Sequence, residues 1–431
     1  MNPLLRALYA GAGAVARAAI RTGLPGDGKL SRSLAGRRGL IERYRAFGRA
    51  GRDQSRPLVW FHAPSVGEGL QATPVMQRLR GQRPEVQLAY THFSPSAAAF
   101  AERTGADFHD YLPLDAAAEM SAALDALQPG VLIFSKLDVW PILVEQAVKR
   151  GVRLGMISAT LAEGSGRRGG LAAALARDAY AALEAVGAID DADASRLIEI
   201  GVRESVIRVT GDTRYDQVWA RAAAVGTSAP WLERFRGARR MTLVAGSTWP
   251  ADEAVLLPAW RDLAGAHPGA LRLIIAPHEP TAGHLVPIEA WAAQAGLRCA
   301  RLDAPADATA DVMLVDRVGV LGDLYAVADA AFVGGGFHAA GLHSVLEPAA
   351  FGAPVVFGPR FANSRDAELL IRNGGGFAVR DARELASLLT TMLATADSGD
   401  RRNAGDAARK RVEVGLGAAD RATDLVCSLL R

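Results

Sequence analysis

The segment Trp60-Phe61-His62-Ala63-Pro64-Ser65-Val66-Gly67-Glu68-Gly69 runs from an apolar strand pattern through a glycine-bounded turn into a helical pattern. Such a turn sets Glu68 near a helix N-terminus at the carboxyl end of a sheet. The helix dipole favours its carboxylate and leaves it able to accept a proton. The same position also suits an acid that caps the helix. The residues alone leave base and cap both open, with Ser65 and Gly67 beside Glu68 as candidate substrate contacts.

A second constellation lies in the C-terminal half. An apolar strand, Ala330–Val333, leads into Gly334-Gly335-Gly336-Phe337-His338-Ala339-Ala340-Gly341-Leu342-His343, then a helical pattern containing Glu347. Glycines let a backbone approach an anion closely, and a following helix offers unpaired N–H groups. Gly334, Gly335, Gly336 and His343 are therefore expected on a nucleotide, with Glu347 placed for a ribose hydroxyl pair. The segment is not GxGxxG and lacks the Lys-Ser/Thr of a P-loop, which argues against dinucleotides and triphosphates. Gly246-Ser247-Thr248-Trp249 and Pro277-His278-Glu279 each follow an apolar strand. Ligands bind at that end of open α/β sheets. Ser247 and Thr248 are expected to donate to a phosphate, and His278 to add a donor or a positive charge.

Lys136 stands out by composition, because the chain has 45 Arg and four Lys. It follows the strand pattern Val131–Phe134, and a compact ammonium there suits a carboxylate or phosphate. Lys136 and Asp138 are candidate substrate contacts; a structural pairing of the two is the alternative. The eight His and two Cys give no metal-ligand spacing, and no G-x-S-x-G elbow supports a serine hydrolase. No metal and no cofactor is expected.

The elements that position these residues alternate from residue 57 onward. Strand patterns at Leu58–Ala63, Val86–Thr91, Val131–Phe134, Val152–Ser158, Ala185–Ile189 and Val206–Thr210 are separated by helical patterns such as Gly69–Arg80, Ala116–Leu127 and Ile142–Lys149. The rhythm breaks at Ala222–Trp231. It restarts with Met241–Ala245, Leu271–Ala276, Leu297–Arg301, Val312–Val315, Ala330–Val333 and Val355–Phe357. The pattern predicts two α/β domains with parallel sheets, residues 57–221 and 222–431, with the active site in a cleft facing the strand ends of both. The last helical pattern, about Arg401–Leu430, is a candidate to cross back.

At 431 residues, half of them hydrophobic and 22% charged, the chain is globular and long enough for two cores. Its two cysteines, Cys299 and Cys427, form no disulfide framework, which suits a reducing, cytoplasmic setting. The net charge of +3 is uneven: residues 1–56 carry twelve cations against three acids. A basic leader on an acidic body predicts an anionic surface as partner. Within residues 1–24 the longest uncharged stretch, Ala7 to Ala16, is ten residues, whereas a membrane span needs about 20. A short amphipathic helix lying on the inner membrane surface is the expectation. Nucleic acid is not expected, since residues 1–24 lack the aromatic interleaving that nucleic-acid binding uses.

Taken together, the motifs resemble the 3-deoxy-D-manno-octulosonic acid (Kdo) transferases of lipopolysaccharide assembly, over about Lys29 to Asp366. Trp60–Glu68 is similar to that family's His-x-x-Ser-x-Gly-Glu block. Trp140-Pro141, Gly211-Asp212-Thr213-Arg214-Tyr215-Asp216, Gly246-Ser247-Thr248, Val333–Gly335, Gly341, His343, Leu346-Glu347 and Gly358-Pro359 follow in the same order. The resemblance implies a GT-B glycosyltransferase of two doubly wound Rossmann-like domains facing a central cleft. It implies CMP-Kdo as donor, a lipid A precursor as acceptor, and inverting transfer without metal at the reacting centre. It assigns Glu68 as catalytic base and Ser247, Gly334, Gly335 and Glu347 to the CMP side, with peripheral association at the cytoplasmic face of the inner membrane. A UDP-sugar transferase or epimerase, or a non-catalytic sugar-binding homologue, is the alternative. Departures from the commoner pattern occur at Ser135-Lys136-Leu137-Asp138, Ile157-Ser158-Ala159-Thr160, Trp249, Pro277-His278-Glu279 and Ser344.

Overall fold

The computed structural model describes residues 28–236, 240–304, 309–393 and 399–430, together with Tyr9 and Gly11. Its contacts divide the chain into two units, Met1–Gln217 with Leu416–Arg431, and Val218–Gly415.

The first unit is built on β1 (Leu58–His62), β2 (Gln87–His92), β3 (Phe108–Tyr111), β4 (Val131–Ser135), β5 (Arg153–Ala159), β6 (Ala185–Ala188) and β7 (Ile207–Val209). All pairings are parallel, in the order β3-β2-β1-β4-β5-β6-β7. β1 and β4 are buried along their whole length, as strands covered on both faces must be. Leu58, Trp60, Leu132 and Phe134 point into one core, and Val59, Phe61, Val131 and Ile133 into the other. Chain direction across the sheet reverses between β1 and β4. Ligands bind at such a switch point, outside the carboxyl ends of the strands.

The second unit repeats the scheme with β8 (Met241–Thr248), β9 (Leu271–Pro277), β10 (Cys299–Arg301), β11 (Val312–Leu314), β12 (Ala330–Val333), β13 (Val355–Phe357) and β14 (Gly376–Ala378). Its order is β10-β11-β9-β8-β12-β13-β14, so its switch point lies between β8 and β12. Every expected strand forms, with ends displaced by three residues at most. β3 and β14, which the sequence reading lacks, are edge strands of four and three residues without an apolar run.

The boundary differs from the expected one. The stretch read as a linker from Ala222 is helical as far as Ser228, and the division falls after Gln217. The expected C-terminal helical pattern is two helices, Gly399–Val414 and Ala418–Leu429, separated at Gly417 with φ 83°. Ala419, Ala422, Leu425, Val426 and Leu429 of the second helix complete a core of the first unit. The Asp216 carboxylate accepts from the Gly417 and Ala419 amides, both at 2.9 Å, and so caps that helix.

Much of the leader's charge has structural work to do. In the helices Lys29–Gly36 and Leu40–Ala50, Leu40 and Tyr44 enter the first unit's core. Arg37 is buried and donates to the carbonyls of Leu112, Ser33 and Phe93, and burial pushes its guanidinium down to about 10. Arg43 pairs with Asp110 at 2.6 Å, and Arg52 donates to the Leu127 carbonyl at 2.8 Å. The amphipathic helix expected over residues 1–24 lies outside the described residues except for Tyr9 and Gly11. The Tyr9 hydroxyl donates to Asp115 at 2.8 Å. No helix among the described residues is long and apolar enough to cross a membrane.

Candidate active site

Glu68 occupies the first turn of the helix Val66–Gln82, directly after β1. The Ser65 side chain caps no backbone amide of this helix; its hydroxyl donates instead to a Glu68 carboxylate oxygen. The other carboxylate oxygen faces the Lys136 ammonium at 3.3 Å, and the Ser135 hydroxyl donates to the Glu68 carbonyl at 2.9 Å. Burial pushes the Glu68 carboxyl up, but the Ser65 hydroxyl and the Lys136 charge outweigh it. The net shift is downward, and the group is held ionised. The side chain keeps 20% of its surface exposed, with its charge balanced by the ammonium. Gly67 is exposed, and a Cβ there would meet only the Ser65 hydroxyl at 3.8 Å.

Lys136 reaches Glu68 because the chain turns sharply after β4, with φ +61° at Lys136 itself. It therefore pairs with Glu68 and not with Asp138, which corrects the alternative pairing. Asp138, expected on substrate, is engaged within the protein. It accepts from the Trp140 indole at 3.1 Å, lies 3.4 Å from His62 Nε2 and 3.5 Å from Arg167. Burial raises the Asp138 carboxyl, and His62 and Arg167 bring it below its ordinary value. His62 is fully buried, with Nδ1 3.1 Å from the Thr91 carbonyl and Nε2 3.1 Å from the Trp140 indole nitrogen.

The Gly-Asp-Thr-Arg-Tyr-Asp motif also proves structural. The Asp212 carboxylate accepts from Gln71 at 3.2 Å, and the Thr213 hydroxyl donates to the Gln71 carbonyl at 2.7 Å. Both contacts fasten the helix that carries Glu68.

In the second unit the expected residues gather at the β8/β12 switch point. The β8–β9 register shifts between Gly246 and Thr248, and Ser247, at φ +55°, is the bulged residue. A bulge re-aims the side chain; the Ser247 hydroxyl has no hydrogen-bond partner among the described residues. Thr248 differs from expectation. It is fully buried and donates to Glu253 at 2.7 Å, so it is not available to a ligand.

The glycine loop also differs. The amides of Gly335 and Phe337 donate to the Asp252 carboxylate at 2.7 and 3.0 Å, and the Trp249 amide does so at 2.9 Å. Asp252 has no exposed surface. The glycines serve close packing: a Cβ on Gly334, Gly335 or Gly336 would come within 2.2, 2.1 or 2.4 Å of the backbone of Ser247, Gly341 or Gly358. The anion-binding role expected for Gly335 and its loop is therefore filled by an internal carboxylate.

Around this loop four rings stack. Trp249 lies 4.2 Å from His338 at 2° and 4.5 Å from His278 at 23°, and His278 lies 4.6 Å from His343 at 29°. The Trp249 indole donates to His343 Nε2 at 3.1 Å. Burial, reinforced by His278, lowers the His343 imidazole below its ordinary value. Glu347, half-buried, accepts no hydrogen bond among the described residues. Burial pushes its carboxyl up against the opposing charge of Arg221.

Sequence reasoning missed Ser135, Trp249, Asp252 and His338. Asp252 was accessible as an acid three residues after Trp249 at a Pro-initiated helix, and His338 stood inside the glycine segment. Trp249 was visible only as a departure from a pattern.

The two doubly wound parallel sheets form the GT-B glycosyltransferase fold. The UDP-GlcNAc 2-epimerase of Neisseria meningitidis superposes over 87% of this chain and 99% of its own, with a TM-score of 0.61 at 12% identity. A glycosyltransferase of Rickettsia africae does so over 87% and 99%, at 0.57 and 11%. At these identities the likeness shows the fold alone. Residues 38–217 match the family model described as 3-deoxy-D-manno-octulosonic-acid transferase (kdotransferase). The 3-deoxy-D-manno-octulosonic acid transferase of Bordetella pertussis is 31% identical over 399 residues, 88% of this chain and 89% of its own. That of Haemophilus influenzae is 26% identical over 90% and 91%. The chain belongs to the 3-deoxy-D-manno-octulosonic acid transferase family, and is a glycosyltransferase.

Proposed function

We propose that this enzyme transfers Kdo from CMP-Kdo to a sugar hydroxyl of a lipid A precursor in lipopolysaccharide assembly, with inversion and without metal at the reacting centre. The carrying observation is the ionised Glu68 carboxylate beside Lys136 at the switch point of the first sheet. In this reading Glu68 removes the proton from the acceptor hydroxyl. The freed oxygen forms a bond to the anomeric carbon as the bond to CMP breaks on the opposite face, through an oxocarbenium-like state. Lys136 offers its ammonium both to Glu68 and to the sugar acid's carboxylate. On the second unit, Ser247 and Glu347, whose side chains make no hydrogen bond among the described residues, suit the donor's phosphate and ribose. The basic leader supports apposition to the anionic cytoplasmic face of the inner membrane, where an anionic lipid acceptor resides.

The test is incubation of the purified protein with CMP-Kdo and a tetra-acylated lipid A precursor, read by mass spectrometry. The expected products are the acceptor plus one or more Kdo units, with release of CMP. Turnover of a UDP-sugar in place of CMP-Kdo, or binding of CMP-Kdo without transfer, would overturn the reading.

A further inference from the structure

We propose that the donor's phosphate is gripped by the imidazole N–H groups of His278, His338 and His343 arrayed on Trp249, and not by the amides of the glycine loop. This rests on the donor reading above and identifies the groups in that site that hold the anion.

The first observation is that two of the loop's amides are already taken. Asp252, without exposed surface, takes the amides of Gly335 and Phe337. A phosphate could use them only by displacing a buried carboxylate from three hydrogen bonds. The second concerns Asp252 and Glu253, which are engaged internally. Asp252 is held by those amides. Glu253 accepts from the Thr248 hydroxyl at 2.7 Å and faces His284 Nε2 at 2.9 Å. The carbonyl of Glu279 lies 3.2 Å from His284 Nδ1, so His284 points at acceptors on both sides and belongs to the scaffold, not the array.

The third observation fixes the protons. His343 Nε2 accepts from the Trp249 indole, which leaves Nδ1 as the N–H donor of a neutral ring. His338 Nδ1 accepts from the Ala340 amide at 3.1 Å, which leaves Nε2–H. His278 is exposed, and its ring makes no hydrogen bond among the described residues. The ring stacking fixes the orientation of all three. The groups facing His343 are His278, Asp252 and His338, and of these only Asp252 is an acid, already engaged. Three imidazole donors around one indole match the oxygens of a phosphoryl group, and the exposed Glu279 carboxylate beside His278 is left to solvent.

Replacing His278 or His338 by Phe keeps a ring on Trp249 and removes the N–H. Calorimetry of CMP and of cytidine with the full-length wild type, His278→Phe and His338→Phe decides the matter, once melting curves show the folds unchanged. Each variant is expected to bind CMP about tenfold more weakly, the usual scale for a hydrogen bond to a charged group, with cytidine affinity unchanged. Donor KM is expected to rise about tenfold with kcat within about threefold. Equal weakening of CMP and cytidine, or no change in either, overturns the proposal. If the wild type binds UDP and not CMP, the CMP reading fails separately, and UDP against uridine then tests the array. If the wild type binds neither nucleotide, both fail.

Discussion

The Lys136 ammonium lies 3.3 Å from a carboxylate oxygen of Glu68, at the point where β1 and β4 diverge. Lys136 holds a left-handed backbone, φ +61°, which disfavours a side chain without glycine's freedom. Such local strain recurs at functional positions, and here it brings the ammonium to the base.

The pairing has a consequence for pH dependence. Lys136 favours the charged form of Glu68 and contributes to its lowered pKa, so Lys136→Met must raise that pKa. A base acts only when deprotonated. The acid limb of the kcat–pH profile is therefore expected to move to higher pH in Lys136→Met. An acid limb unchanged from wild type would show that Lys136 does not set the charge of Glu68.

Two glycines near the chemistry should answer a methyl group oppositely. At Gly335, φ is +92° and a Cβ would lie 2.1 Å from the Gly341 carbonyl oxygen. Gly335→Ala is expected to destabilise by several kcal/mol, about 3 or more, from backbone strain and overlap together. At Gly67 nothing crowds the added atom, and Ala in a helix favours stability by about 0.5–1 kcal/mol. Gly67→Ala is thus expected to melt no lower than wild type while losing kcat/KM, because the methyl occupies space beside Glu68. Thermal melts and initial rates on both variants check the pair.

Asp252 should matter more to stability than a surface acid. Its removal in Asp252→Ala leaves the amides of Trp249, Gly335 and Phe337 without their acceptor. Each buried unsatisfied donor costs about 1–3 kcal/mol, so a loss of at least about 3 kcal/mol is expected in urea unfolding. A loss under about 1 kcal/mol would mean that the loop finds other acceptors.

Asp115 gives a stability signature in acid. It is buried, and burial raises its carboxyl to about 6 against the hydrogen bonds from Ile142, Tyr9 and Leu143. A folded-state value above the unfolded one favours the protonated form, so its stabilisation is present below about 4 and lost as pH rises through about 6. Asp115→Asn should flatten this fall, seen in unfolding free energies measured from pH 4 to 7. An unchanged slope would remove Asp115 as its source.

How far the sequence could be read depended on how local each cause was. Strand-turn-helix around Glu68 was legible because apolar runs and the Ser-x-Gly-Glu spacing are consecutive. Lys136 was legible through the scarcity of lysine, yet its partner was not, since a left-handed turn after β4 decides whether it meets Asp138 or Glu68. The glycine segment was read as a loop, but its role depends on Asp252, 83 residues earlier. Thr248 looked free in sequence because its partner Glu253 shows only once the helix after β8 turns back beside it. The final helix was expected to be able to cross back, but its cap, Asp216, is 201 residues from Gly417. Such pairings are fixed by topology, which no local pattern encodes.

The most direct test of the central claim is the rate of Kdo transfer from CMP-Kdo by Glu68→Gln beside wild type, with CMP affinity measured on the same samples. If Glu68 is the base, transfer falls about 10²–10⁴-fold while CMP affinity stays within about twofold. Transfer near the wild-type rate with unchanged CMP affinity would contradict the assignment.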